Sequence, residues 1–232
     1  MAQSTRYEVT YFRVPALGDM PRMILDVAGA SYENTFLDFQ VNWPAVKEDM
    51  VFGRVPRLTI HNADGSKKEL FESFVIEAYL AETLSLVPGT DAFSRAECLS
   101  VSSSIRDMDD KVSAARDLPT VEERRERHKK NVAEIIPSYI RYYERFVVAR
   151  GGPYFFGNKL TVADLKLYSI YLKFDAMYGS NNPIKSGQYP KLANLIETLD
   201  AGRAGDYARN RRLGGNMVWV EDEQKWTVAV KA

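Results

Sequence analysis

From Tyr7 to Phe12 the chain reads YEVTYF, a mixture of aromatic and β-branched residues that predicts a strand. Gly18-Asp19-Met20-Pro21 reads as a helix start, with Asp19 able to cap and Pro21 in the first turn, where its missing N–H does no harm. Met23, Ile24, Val27 and Ala28 then recur at helical spacing, and Gly29 closes the segment. Residues 35–39 predict a second strand, which completes a strand–helix–strand unit. A short helical piece follows at Trp43 to Met50. Arg57 to Ile60 and Lys68 to Phe71 predict a hairpin around the turn residues Asn62 to Gly65. Ser73 can cap a helix running from Phe74 to about Leu84. The pattern is thus βαβ followed by ββα.

Beyond a linker at 85–91, which holds Pro88 and Gly89, the pattern becomes helical. Residues 92–116 predict one long helix. Residues 121–150 predict another, with Pro137 as a kink or break, and 162–177 a third that is apolar enough to be central to a core. Shorter helices are expected at 191–199 and 203–212. Residues 214–230 hold two tryptophans and alternating valines, the pattern of an extended tail laid back on the body. The reading is α/β plus all-α, with one domain at 1–86 and a helical one at 92–232 that includes a C-terminal extension.

Composition narrows the function classes. Lys plus Arg and Asp plus Glu both number 31, so no global charge draws the chain to nucleic acid or to acidic membranes. The mixed-sign run Glu122 to Lys130 reads as a solvated helix face, and the arginines between Arg203 and Arg212 as a basic surface end. With one cysteine, Cys98, no intramolecular disulfide can form, and that residue is expected to pack in the helical core. The two histidines, His61 and His128, are too isolated for a metal site. The polar start of the chain and the lack of a long apolar run make a soluble cytoplasmic protein the expectation.

Six short motifs carry candidate chemistry. They are Thr10-Tyr11-Phe12 at the end of the first strand, Trp43-Pro44 with Lys47 one helical turn on, and Phe52-Gly53-Arg54-Val55-Pro56. Glu72-Ser73 at a helix start, Asp109-Asp110 on the first long helix and Gly157 to Asp164 complete the set. In this order and spacing the chain resembles the cytosolic glutathione transferases with a thioredoxin-like first domain. Its nearest resemblance is to the sigma class, which includes prostaglandin D isomerases, and only the last twenty residues fall outside it.

The resemblance implies a role for each motif. Tyr11 would donate its hydroxyl to the sulfur of glutathione, because the thiolate rather than the thiol is the nucleophile. Trp43 and Lys47 would reach the glycyl carboxylate. Gly53 and Arg54 would form the turn before a cis Val55–Pro56 bond, and Val55 would offer its backbone to the cysteinyl part. Glu72, where most members have glutamine, and Ser73 would hold the γ-glutamyl end at a helix N-terminus. Asp110 would reach glutathione bound by a partner subunit, making the protein a homodimer. Thr161 and Asp164 have the spacing of a capping box, a folding role. Phe12 and the Leu17 loop, with the long helices, would line a pocket for a hydrophobic electrophile.

One departure stands out. Leu17 occupies the place where sigma-class members carry an arginine, six residues after the tyrosine. Loss of a cation beside a thiolate raises the thiol pKa, so Arg13 or Arg54 becomes a candidate to compensate. Glutathione transfer to an electrophile is the leading function, with no metal required. Glutathione-dependent double-bond isomerisation uses the same site, and a non-catalytic binding or structural role also fits the fold.

Overall fold

A computed structural model of the chain describes residues 5–211 and 216–229. The chain forms two compact units. The first runs through Leu86 and takes in the segment from Arg203; the second runs from Val87 to Gly202 and takes in Met217–Ala229.

The first unit is built on a four-stranded sheet in the order β2-β1-β3-β4. Strand β1 (Arg6–Phe12) lies parallel to β2 (Tyr32–Leu37) and antiparallel to β3 (Arg57–His61), which pairs antiparallel with β4 (Lys67–Phe71). Alternation sorts the faces. Tyr7, Val9, Leu58 and Ile60 are buried, whereas Glu8 faces the other way and holds the hydroxyl of Thr35 and the ring of His61. Helices α1 (Asp19–Val27) and α3 (Ser73–Thr83) pack against each other. Strand β2 starts and ends earlier than the expected 35–39, because its register is set by β1, with Tyr7 opposite Tyr32 and Phe12 opposite Leu37. As an edge strand it is half exposed and lacks apolar alternation at Tyr32 to Asn34.

Both expected side-chain caps differ from what is found. Gly18 is the N-cap of α1 and Glu72 that of α3, and neither helix has a side-chain cap bond. Asp19 and Ser73 are each the first residue inside their helix, and Asp19 is turned into the protein. The segment from Arg203, placed with the helical part on sequence, forms α9 (Arg203–Asn210) and packs on α1.

In the second unit α4 (Ala92–Ser113) packs on α7 (Val162–Tyr178). Leu165, Leu167, Tyr168 and Phe174 of α7 and Cys98, Ile105 and Met108 of α4 are fully buried. Each such aliphatic or aromatic side chain contributes about 1.5–3 kcal/mol by leaving water, which makes α7 the axis of this core. The 121–150 segment divides into α5 (Val121–Lys130), a π-helical turn (Asn131–Ile135) and α6 (Ile136–Arg150). Pro137, which lacks a donor N–H, falls in the first turn of α6. Helix α8 (Pro190–Asp200) follows.

The tail differs from a simple extended strap. Its described part is a hairpin, β5 (Asn216–Val220) and β6 (Lys225–Ala229); residues 214–215 and 230–232 lie outside the described residues. Two residues of α5 hold the hairpin turn, so that helix face is not wholly solvated as its charge pattern suggested. Arg124 Nε donates to the Glu223 carbonyl at 2.8 Å, and buried His128 lies 3.3 Å from the Gln224 carbonyl. No helix among the described residues is long and apolar enough to cross a membrane.

The box that starts α7 is complete. Asp164 accepts from the N–H of Phe155 at 2.8 Å, from the N–H of Thr161 at 2.8 Å and from its hydroxyl at 2.7 Å, all buried. We expect Asp164→Ala to lower the urea-unfolding free energy by about 2–4 kcal/mol, since several buried donors lose their acceptor. Thr161→Ala should cost only about 1–2 kcal/mol, and the double variant should resemble Asp164→Ala alone. Additive losses would mean that the two side chains do not act as one cap.

Candidate functional site

The residues that the motifs single out in the first unit lie at strand ends and helix starts of one small sheet. Tyr11 is the penultimate residue of β1 and is 7% exposed. The backbone of Leu17 hydrogen-bonds to its hydroxyl. An N–H donating to the phenol oxygen leaves the phenol's own proton free to be given to another acceptor. Burial pushes the Tyr11 hydroxyl above its ordinary pKa, against the lowering effects of the Leu17 backbone and of Arg22. Burial wins, so at neutral pH the group is a protonated donor.

Gly18 makes this seat possible. A Cβ built there would lie 2.4 Å from Tyr11 Cγ. In the sequence Gly18 is only part of a helix start; its role comes from the close approach of the ring.

The expected compensating cations lie elsewhere. Arg13 sits over the Phe36 ring at 4.3 Å, and Arg54 is exposed in its loop. The cation beside Tyr11 is Arg22, 1% exposed, with its guanidinium carbon 5.9 Å from the Tyr11 ring centre. One signal could have found it. Arg22 is a cation in the first turn of a helix, the end where the dipole disfavours positive charge, three residues after an acid.

Phe12 points to the opposite side of the strand from Tyr11. It stacks on Phe39 at 3.8 Å and meets Trp43 edge-on at 5.5 Å. It is therefore part of the packing beneath Trp43, while Leu17, whose backbone meets the Tyr11 hydroxyl, is 53% exposed.

The loop before Trp43 is shaped by Asp38, whose carboxylate accepts from the N–H groups of Gln40 and Val41. Trp43 opens the short α2 (Trp43–Val46), and the N–H of Lys47 bonds to its carbonyl. The Lys47 stem runs past Gly53, where a Cβ would lie 3.8 Å from Lys47 Cε. Gly53 has φ +58° and its N–H closes a turn on the Met50 carbonyl. The Val55–Pro56 peptide is cis. Val55 precedes β3, and its N–H and C=O take no main-chain partner among the described residues.

Glu72 is exposed at the N-terminus of α3 with φ +67°, a left-handed conformation that is rare for a residue with a side chain. Its carbonyl accepts the first helical bond from Ile76 N–H, and Ser73 beside it is buried. Strained backbone of this kind concentrates at ligand-holding sites. Asp110 lies on α4 in the second unit. Its neighbour Asp109 turns inward to Lys173 at 2.6 Å, while Asp110 is exposed, with Arg106 3.8 Å away.

Residues 7–82 match the glutathione S-transferase N-terminal domain and residues 106–203 the glutathione S-transferase C-terminal domain. The chain is 31% identical to glutathione S-transferase 1 of Ascaris suum, over 69% of this chain and 76% of that protein. It is 27% identical to the class-mu 28 kDa glutathione S-transferase isozyme of Schistosoma haematobium, over 88% and 95%. Among solved structures, the sigma-class glutathione S-transferase of Fasciola hepatica matches with a TM-score of 0.75 at 21% identity, covering 90% of this chain and 98% of that one.

Gly18 has ordinary backbone angles, so only space opposes a side chain there. We expect Gly18→Ala to cost about 1–3 kcal/mol in urea unfolding through overpacking against Tyr11. Gly187→Ala, with nothing near the added Cβ, should stay within about 0.5 kcal/mol of the parent. Equal stabilities for the two variants would mean that the Tyr11 ring is not tightly seated.

Proposed function

The chain belongs to the glutathione S-transferase family, and on that premise we propose that it activates the thiol of glutathione at Tyr11 for attack on a hydrophobic electrophile. The observation that supports this reading most is the state of Tyr11. It is a buried phenol, kept protonated, whose oxygen already has a donor in the Leu17 backbone. A hydrogen bond from that phenol favours the thiolate over the thiol. The exposed, apolar Leu17 in the loop that follows suits an apolar acceptor.

The remaining motif residues are assigned by chemistry. The unpartnered main chain of Val55 pairs with the cysteinyl backbone, as one strand edge pairs with another. Glu72 and Ser73 hold the γ-glutamyl ammonium and carboxylate at the start of α3. Trp43 and Lys47 take the glycyl carboxylate, and Gly53 and Arg54 shape the loop between them and Val55. Asp110 serves the glutathione of a second copy in a homodimer. In this reading the glutathione site belongs to residues 1–86. The chain acts in the cytoplasm without a metal.

Purified protein should consume glutathione with at least some of a panel of apolar electrophiles. Tyr11→Phe should lower kcat/KM by about 10²-fold, the usual loss for one well-placed oxyanion donor. Lys47→Ala should raise KM for glutathione with kcat nearly unchanged, the mark of a residue that binds without acting on the transition state. Mass spectrometry of the products separates conjugation, which leaves an adduct, from isomerisation, which returns glutathione. Unaltered turnover in Tyr11→Phe would remove the tyrosine mechanism, and failure to bind glutathione would favour a structural role.

A further inference from the structure

We propose that Arg22 is the positioning cation of the Tyr11 site, and that Tyr207 and Arg211 leave it free for that task by occupying Asp19. The inference rests on the reading that Tyr11 donates to a thiolate.

Arg22 is fully buried, yet it makes no ion pair among the described residues. Its two hydrogen bonds go to neutral acceptors. Nε donates to Asn34 Oδ1 at 2.7 Å, and Nη2 to the Phe12 carbonyl at 3.4 Å. Nη1 is buried without a hydrogen-bond partner among the described residues. A guanidinium stays protonated in proteins, so this is a positive charge with no bonded counter-ion in a low-dielectric interior, balanced only in part by Asp19 across space. The phenol of Tyr11 lies within its field.

The natural partner for Arg22 would be Asp19, one turn earlier on the same helix. That carboxylate is engaged from the other side. Tyr207 of α9 donates to Asp19 Oδ1 at 2.6 Å, and Arg211, just past α9, pairs with Oδ2. Asp19 is 4% exposed, so its charge is balanced locally and not by water. The titratable and charged groups facing Arg22 are Tyr11 from β1, Tyr32 from β2, Asp19 from α1 and Tyr207 from α9, with Arg211 behind Asp19. Arg13 shares the Phe36 ring with it. Of these, Tyr11 alone has a hydroxyl placed to act on glutathione in the proposed site.

The positive field lowers the energy of any negative charge that develops at or beside the Tyr11 oxygen. It offsets part of the burial effect that makes the phenol a weaker acid. Arg22 thus supplies from behind the tyrosine what Leu17 does not supply from in front.

The test is the ultraviolet titration of the thiolate of bound glutathione, run on the full chain with calorimetric affinity and urea unfolding beside it. Arg22→Met should raise the bound thiol pKa by about one unit, a tenfold loss of thiolate on the acid side. The loss in kcat/KM should narrow as pH rises above that pKa. Arg22→Lys should recover part of the shift. Arg211→Met, at a partly exposed position, leaves Arg22 in place but returns the Asp19 charge to it, and should raise the thiol pKa by a smaller amount. A folded Arg22→Met with parental affinity and an unmoved pKa overturns the inference. If that variant does not fold, an unmoved pKa in Arg211→Met overturns it, and a raised one supports it. If parent and Tyr11→Phe titrate alike, the thiolate reading itself fails and takes this inference with it.

Discussion

The seating of the Tyr11 phenol against the backbone of the β1–α1 loop is the constraint around which the first unit is arranged. A phenol this deep must be satisfied by neighbours and not by water. The Leu17 backbone provides the contact at the oxygen, and Gly18 gives up its side chain so that the ring can lie against the helix start. The sheet register fixes the ring from below, with Tyr11 opposite Phe36 of β2. Tyr11 is therefore held from three directions by backbone, which is a good way to keep one hydroxyl in one place.

Behind the phenol, three segments distant in sequence share a polar network inside an apolar shell. Helix α1 contributes Asp19 and Arg22, β2 contributes Asn34, and the segment from Arg203 contributes Tyr207 and Arg211. Removing one partner of a buried pair leaves an uncompensated charge, so the Asp19–Arg211 contact ties the C-terminal segment to the rest of the first unit. Elsewhere the chain uses cheaper devices. The Thr161–Asp164 box starts the core helix of the second unit, and Arg124 and His128 hold the hairpin turn.

What was legible in the sequence was local. The aromatic and β-branched mixture at Tyr7 to Phe12, the spacing of Thr161 and Asp164 and the apolar α7 each announce a structure within a few residues of themselves. The cis bond at Val55–Pro56 stands where the family resemblance implied it, and the split near Pro137 where the sequence pointed. What was illegible depends on long separations. Asp19 looks like a cap until Tyr207, 188 residues away, is brought to it. Arg22 carries no local sign of its burial beyond a cation in the first turn of a helix. Phe12 looks like a pocket wall, but Phe39, expected at the end of a strand, instead folds over its ring. His128 looks isolated until the hairpin covers it. Local periodicity has no information on any of these, because each is decided by which distant segment fills a gap.

The central claim concerns one atom, the hydroxyl oxygen of Tyr11, and the most direct measurement is a crystal structure of the full chain grown with glutathione. The account predicts the glutathione sulfur within hydrogen-bond distance of that oxygen, with the peptide laid along Val55 and its γ-glutamyl end at the start of α3. A sulfur bound elsewhere, with Tyr11 still buried against Leu17 and facing no ligand, would contradict it.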